Sequence, residues 1–241
     1  MASAKGFPGF PPEALTFFRD LRKNNNRDWF APRKDLFDTA VRAPLLELVS
    51  QVHQRMVAFA PQYVGEPAKT LYRIYRDTRF SGDKTPYKDH LGALLWRNGL
   101  SKNSGSAFYF GISDKCVEIA GGLYSPEPDT LLAVRRMIAD APDEFRALYE
   151  KPKIRRLMGE LKGEKLTRVP KGFDAASDAA ELVKHKRWIL YVELDAALAT
   201  SPKLLPEIVS RLQVMTPFVE YLNGPLIRKT SRLKVDERYF R

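Results

Sequence analysis

Cationic and acidic side chains alternate through residues 69–90, the part of this sequence whose residue types and spacing best fit a binding site. The segment reads KTLYRIYRDTRFSGDKTPYKDH and carries six Lys or Arg residues against three Asp residues. A guanidinium can grip a carboxylate or phosphate through two parallel hydrogen bonds, whereas a lysine adds a point charge. The segment therefore predicts a pocket for a small molecule that carries a carboxylate or phosphate group.

The side chains of this predicted pocket have different roles. Arg76 and Arg79 are expected to bind the anion in bidentate fashion, and Tyr87 is expected to donate a hydrogen bond. Lys171 follows much later, in a loop shaped by proline and glycine, and can reach the same pocket. The predicted ligand-binding residues are Arg73, Arg76, Arg79, Lys84, Tyr87, Lys88 and Lys171.

The spacing of two arginines indicates how the segment is arranged. Arg73 and Arg76 belong to a predicted strand over Leu71–Arg76, and their odd spacing places them on opposite faces. Apolar residues occupy both faces as well, so at least one arginine should be partly buried. A buried guanidinium needs carboxylates, carbonyls or a bound anion for its five donors.

Two acidic residues next to these arginines allow two interpretations. Asp77 and Asp83 can serve as a general acid or base for a bound substrate, so an enzyme stays one possibility. They can equally neutralise the arginines in a fold-stabilising ion-pair network of a structural or partner-binding protein. The sequence leaves both interpretations open.

Several established catalytic and cofactor motifs are absent from the sequence. It has no GxxxxGK[ST] phosphate loop, no GxGxxG turn, no HExxH pair, no CxxC pair and no GxSxG elbow. His53, His90 and His185 are far apart in the chain and lack the spacing of a metal site. We therefore predict neither a metal nor a cofactor.

The charge of the chain suggests a different class of partner. Forty Lys and Arg residues against 29 Asp and Glu residues give a net charge of +11, which attracts polyanions and small anions alike. Residues 151–171 hold eight Lys or Arg residues against two Glu residues. Nucleic-acid binding through this stretch and the basic C-terminus is thus a further alternative. However, Ile154, Leu157 and Leu161 have helical spacing, which favours an amphipathic helix with a solvated basic face.

Apolar periodicity predicts the elements that must position these residues. Aromatic and branched residues alternate in the predicted strands, while apolar residues three or four apart mark the helices. Because helices and strands alternate only partly, we expect an α+β fold with an antiparallel or mixed sheet and helices mainly on one side. The predicted strands are Leu71–Arg76, Leu91–Trp96, Ala107–Ile112, 117–119 and Arg187–Leu194. The predicted helices begin at Pro11, run from Asn26 towards Met56 with a break at Pro44, and cover Glu127–Ala141 and Pro202–Leu222.

The remaining sequence features bound the organisation and location of the protein. We expect a single domain over residues 1–225, followed by a loosely ordered basic tail over 226–241. The single cysteine, Cys116, excludes an intramolecular disulfide bond. No secretory signal and no long apolar run are evident, so we predict a cytoplasmic protein without a membrane anchor.

Four short blocks give the chain a likeness to a known family. They are NNRDWF from Asn25, RDTRF from Arg76 with DKTPYK from Asp83, GGLYSP from Gly121 and PKGFD from Pro170. In this order they resemble a family of conserved hypothetical proteins, the domain of unknown function numbered twenty-four sixty-one. The resemblance spans roughly Phe7 to Leu222 and implies a shared fold. It implies no activity.

Overall fold

The structure is a computed structural model that describes residues 6–79 and 81–239, with side chains described as far as Ile227. The fold is α+β, as predicted, and its four strands form one antiparallel sheet in the order β1-β2-β3-β4. The strands are β1 (His90–Trp96), β2 (Ala107–Ser113), β3 (Cys116–Leu123) and β4 (Trp188–Asp195). All four lie where strands were predicted, although alternating apolar residues marked only β2, β3 and β4.

Prolines mark the start of most helices. A proline suits the first helical turn because the N–H groups there have no acceptor within the helix. The helices are α1 (Pro12–Lys23), α2 (Arg27–Phe30), α3 (Lys34–Leu36), α4 (Ala43–Met56), α5 (Pro67–Thr70), α6 (Pro128–Asp140), α7 (Pro142–Tyr149), α8 (Pro152–Met158), α9 (Ala180–Val183) and α10 (Leu204–Tyr239). Short 3₁₀ turns cover Ala31–Arg33, Pro61–Tyr63 and Ala196–Thr200.

The chain widens into a π-helix over Phe37–Arg42, immediately before α4. There the Ala43 N–H donates to the Asp38 carbonyl, five residues earlier. Pro44 follows, and a proline ring clashes with the carbonyl four residues before it, which explains the departure from α-helical geometry. The predicted break at Pro44 is thus present.

One face of β3 is buried and the other is half exposed. Val117, Ile119 and Leu123 are almost fully buried, and they alternate with residues of intermediate exposure. On the buried face, a Cβ at Gly121 would lie 2.9 Å from the Met215 sulfur of α10. This alternation is the pattern of a sheet with helices mainly on one side.

The predicted strand over Leu71–Arg76 is wrong as a regular strand. The segment forms isolated antiparallel bridges, Leu71 with Ala93 and Tyr75 with Tyr87. The Arg76 N–H donates to the Pro86 carbonyl at 2.9 Å, but Pro86 has no N–H to return the bond. The ladder consequently stops at this pair, and the backbone bends at Ile74.

The predicted amphipathic helix within residues 151–171 is shorter than expected. It ends at Met158, because Gly159 adopts a positive φ of 72°. Lys162 and Lys165, beyond this point, form isolated bridges with Ile189 and His185. The second half of the basic stretch is therefore not helical.

The last helix is longer than its predicted span of Pro202–Leu222. The backbone of α10 is helical as far as Tyr239, including most of the stretch for which we expected a loosely ordered tail. Two residues of that tail, Phe240 and Arg241, lie outside the described residues.

The chain divides into two compact units. The first comprises residues up to Leu95, Tyr109–Ile119 and Glu193–Ser210, and the second comprises Trp96–Phe108, Ala120–Val192 and the chain from Arg211 onward. A single domain over residues 1–225 therefore stays a prediction. Within the described part of the chain, no helix combines the length and apolarity needed to cross a bilayer.

Candidate functional site

Most residues of the polar segment 69–90 line one of two cavities in the first unit. The larger, which we call the Arg76 cavity, has a volume of about 590 Å³. It is lined by Arg22, Asn25, Arg76, Asp77, Asp83, Thr85, Tyr87, Lys88, Asp89 and His90. The smaller, the Arg73 cavity, has a volume of about 320 Å³. It is lined by Phe30, Lys34, Phe37, Asp38, Arg42, Ala68, Leu71, Tyr72, Arg73, Ile74, Tyr75 and Leu91.

A side-chain clamp fixes the backbone of one wall of the Arg76 cavity. Asn25 follows α1, and its amide donates to the Tyr87 carbonyl at 2.9 Å and accepts from the Tyr87 N–H at 3.0 Å. The ring of Tyr87 stacks on Phe30, with centroids 4.1 Å apart and an interplanar angle of 14°. The chain that leads into β1 is thus held from both its backbone and its side chain.

Arg76 is oriented by two partners in the following loop. Its Nη1 donates to Asp83 Oδ2 and, at 2.5 Å, to Thr85 Oγ1. Asp83 in turn accepts from the Thr85 N–H at 2.9 Å and from the Thr85 hydroxyl at 2.8 Å. These contacts lower the pKa of Asp83 to about 2. The hydrogen bond from the Thr85 N–H has the largest effect, followed by the side-chain hydrogen bonds from Arg76 and from Thr85. Asp83 is thus a carboxylate near neutral pH and a weak base.

A second charged group enters the cavity from α1. Arg22 Nε donates to Asp89 Oδ2 at 3.2 Å, and Arg22 Nη2 pairs with Asp114. The other oxygen of Asp89 lies 3.3 Å from His90 Nδ1. Burial raises the pKa of Asp89, but the His90 hydrogen bond and the charges of His90 and Arg22 outweigh it, and the pKa falls below its usual value. A carboxylate that orients an imidazole in this way is suited to proton transfer.

Two of the predicted ligand residues have partners within their own loop. Arg79 donates through Nε and Nη2 to Asp77, at 3.0 and 2.7 Å. Lys84 Nζ donates to the Thr78 carbonyl at 2.9 Å. Neither Arg79 nor Lys84 is among the residues that line the two cavities. The hydrogen bond from Arg79 also lowers the pKa of Asp77, which makes this carboxylate a weak base too.

The remaining predicted residues are divided between different places. Tyr87 and Lys88 line the Arg76 cavity, and the Lys88 ammonium lies 4.9 Å from the centroid of the Tyr72 ring. Arg73 lines the other cavity, and Lys171 is an exposed residue of the second unit. The predicted role of Lys171 in binding the anion stays a prediction.

Sequence reasoning missed five residues of the Arg76 cavity: Arg22, Asn25, Thr85, Asp89 and His90. Arg22 and Asn25 reach the cavity from the end of α1, more than sixty residues earlier in the chain. A sequence signal existed for Asn25, because it opens one of the four blocks that carry the family resemblance. Within the described residues, no group of three or more His, Cys, Asp or Glu side chains can hold a metal ion.

A comparison with protein families gives one match over most of the chain. The model of the family described as conserved hypothetical protein, DUF2461, matches residues 13–221. The resemblance noted from the sequence blocks is confirmed. No curated protein and no solved structure matches the chain.

Proposed function

This chain belongs to the DUF2461 family of conserved hypothetical proteins, and we propose that it binds a small carboxylate- or phosphate-bearing molecule in the Arg76 cavity. The family description names no activity, so the support comes from the donors that line the cavity. A volume of about 590 Å³ is within the usual range for small-molecule sites.

The free donors of Arg76 carry the proposal. Its Nη1 is occupied by Asp83 and Thr85, but Nε and Nη2 have three further N–H groups. None of these three N–H groups of Arg76 donates a hydrogen bond to an acceptor within residues 6–79 and 81–239. The side chain is 29% exposed, so it is both partly buried and accessible from the cavity. A guanidinium fixed along one edge presents its other edge to an acceptor with two oxygens.

Arg22 supplies a second guanidinium to the same cavity. Its Nε and Nη2 face Asp89 and Asp114, and its side chain is 34% exposed. Nη1 donates no hydrogen bond to any described residue. Two arginines, each oriented by a carboxylate, can therefore share one anionic ligand.

The acidic residues of the cavity limit the charge of that ligand. Asp77, Asp83 and Asp89 balance the three cations of the lining, Arg22, Arg76 and Lys88. Each of these carboxylates accepts hydrogen bonds from a neighbouring side chain, so its charge is compensated. A nearly neutral cavity with free N–H donors favours a carboxylate or a phosphate monoester over a polyphosphate.

A structural ion-pair network is the second candidate. It is favoured by Arg79 and Lys84, which form hydrogen bonds with Asp77 and Thr78 of the same loop and line neither cavity. In that case the Arg76 contacts fasten the loop, and the cavity has no ligand. Nucleic-acid binding through the basic stretch over 151–171 stays a prediction from charge.

Isothermal titration calorimetry tests the proposal with succinate, glycerol 3-phosphate and inorganic phosphate as probes, and with glycerol as the neutral control. The ionic strength is held constant, since salt screens exposed charges. We expect at least one anion to bind and Arg76→Gln to weaken it roughly tenfold or more, because a charge-assisted bond is lost. Arg146→Gln is the matched control, because Arg146 also pairs with one aspartate, Asp143, but belongs to the second unit and lines neither cavity. Equal binding by wild type and Arg76→Gln, or no binding of any anion, contradicts the proposal and leaves the structural network.

A further inference from the structure

We propose that the Arg73 cavity is a separate binding site for a molecule with one aromatic ring system and one anionic group. This cavity shares no lining residue with the Arg76 cavity. The inference therefore goes beyond the proposed function and does not depend on it.

Aromatic side chains form the apolar part of the Arg73 cavity. Phe30 lies 5.6 Å from Phe37 and 6.4 Å from Tyr75, measured between ring centroids. Phe30 and Phe37 are buried, whereas Tyr75 is 55% exposed. An exposed ring at the edge of a buried aromatic cluster offers a face on which a planar ligand can stack.

Two arginines without protein partners supply the polar part. Arg42 and Arg73 are both exposed, and neither forms a hydrogen bond, ion pair or cation–π contact with any described residue. The remaining cation of the cavity, Lys34, is paired with Asp38 at 2.6 Å. Because Asp38 is the one acidic residue of the lining, the cavity keeps an excess of positive charge. Free guanidinium groups beside aromatic rings fit an anionic group attached to a ring.

The π-helix brings the two kinds of side chain together. Phe37 and Arg42 are the first and last residues of this segment, five positions apart. In an α-helix, five residues turn through about 140° beyond one full revolution, so these side chains would point in different directions. In the π-helix each N–H donates to the carbonyl five residues earlier, so one turn contains more residues than in an α-helix. Phe37 and Arg42 therefore lie on nearly the same side of the helix. Pro44 explains the widening, and the shared cavity is its consequence.

The size of the cavity restricts the ligand. A volume of about 320 Å³ lies at the lower end of the range for small-molecule sites. It suits a single ring system with one charged substituent, such as an aromatic carboxylate or the base and phosphate of a nucleoside monophosphate. The lining residues recognise the shared chemistry of both classes.

Isothermal titration calorimetry with benzoate and AMP tests this inference and separates the two classes. Cyclohexanecarboxylate, which has the charge without the aromatic ring, and benzyl alcohol, which has the ring without the charge, are the comparison ligands. We expect benzoate or AMP to bind. Arg42→Gln and Arg73→Gln should each weaken that binding roughly tenfold to a hundredfold, because each removes a charge-assisted hydrogen bond. For benzoate, the saturated acid should bind roughly threefold to tenfold more weakly.

Two control variants make the result specific to this cavity. Arg136→Gln removes an exposed arginine of α6 in the second unit, so its binding should equal that of wild type. Arg76→Gln removes the guanidinium of the other cavity, which is itself proposed to bind carboxylates and phosphates, so benzoate or AMP binding that persists in this variant is assigned to the Arg73 cavity. The inference is overturned if neither benzoate nor AMP binds at millimolar concentration, or if Arg76→Gln abolishes all binding of both ligands. It is also overturned if cyclohexanecarboxylate binds as tightly as benzoate.

Discussion

Arg73 and Arg76 are three positions apart in the chain, yet Arg73 lines one cavity and Arg76 lines the other. The bridges at Leu71 and Tyr75 flank a bend at Ile74, so this segment is not a regular strand. Residues 71–75 line the Arg73 cavity in succession, and Arg76 and Asp77, which follow them, line the Arg76 cavity. One short segment thus serves two cavities of different chemistry, one balanced in charge and one with aromatic rings and free arginines.

The environment of Asp83 predicts an unusual titration. Because the hydrogen bonds from Thr85 and Arg76 lower its pKa to about 2, its contacts should persist as the pH falls through the usual aspartate range. They should be lost only as the pH approaches 2. Carbon-detected NMR of the side-chain carboxyl groups should give Asp83 a midpoint near that value, and Arg76→Gln should raise it.

Thr85→Ala separates the causes of this shift. The variant removes the hydroxyl bond to Asp83 and keeps the Thr85 backbone N–H, which is the largest single cause of the lowered pKa. The midpoint should therefore rise only in part. An Asp83 midpoint near 4 in the wild-type protein would show that the Arg76 contact does not hold the loop in solution.

The clamp between Asn25 and Tyr87 predicts a loss of stability. Asn25→Ala removes both hydrogen bonds to Tyr87 and leaves its N–H and C=O without partners at a partly buried position. We expect the free energy of unfolding to fall by about 1–3 kcal/mol, as measured by urea denaturation. Asn24→Ala is the matched control, because the Asn24 side chain is exposed and donates only to the Asp20 carbonyl of the preceding helix. Its effect should stay within about 0.5 kcal/mol. Equal effects of the two variants would contradict the role of the clamp.

The candidate site was predictable from the sequence where its chemistry is local. Arg76, Tyr87 and Lys88 line the Arg76 cavity, and the composition of their own segment pointed to them. Arg22 and Asn25 could not be found in this way, because the fold brings them to the cavity from a distant helix. Their selection depends on tertiary packing, which no local pattern encodes.

The fold was predictable where apolar periodicity is strong. β3 alternates Val117, Ile119 and Leu123 with more exposed residues, and its position agrees with the predicted hairpin. Around Leu71–Arg76 the same kind of pattern did not give a regular strand, because Pro86 lacks the N–H that the ladder needs. Periodicity reports which residues are buried, whereas a ladder also depends on the donors of the partner strand.

Gly122 predicts a second loss of stability, in the block GGLYSP. It has a φ of 143°, and a Cβ there would lie 2.2 Å from the carbonyl oxygen of Trp188. Gly122→Ala should lower the free energy of unfolding by at least about 2 kcal/mol, because the cost of the strained φ and the cost of the close Cβ contact are added together. Gly82→Ala is the control, since Gly82 has no strained φ and no atom within 4 Å of its added Cβ. It should change stability by no more than about 1 kcal/mol. A tolerated Gly122→Ala would contradict the close approach of the two backbones.

His185 predicts how the stability of the protein depends on pH. It is 3% exposed, and burial, followed by the charge of Lys165, lowers its pKa to about 4. Between about pH 6.5 and 4 the unfolded chain binds a proton at this residue and the folded chain does not, so stability falls as the pH falls. The loss should reach roughly 3 kcal/mol, which urea denaturation at several pH values will measure.

Two variants assign this pH dependence to its source. His185→Gln should remove most of the decrease in stability between pH 6.5 and 4, while His53, whose pKa is also lowered by burial, should account for a smaller remainder. His53→Gln is the comparison variant, and it should remove only that smaller remainder. If His185→Gln keeps the full decrease, the buried imidazole takes up its proton in the folded chain as readily as in the unfolded chain. The acid sensitivity then belongs to other groups.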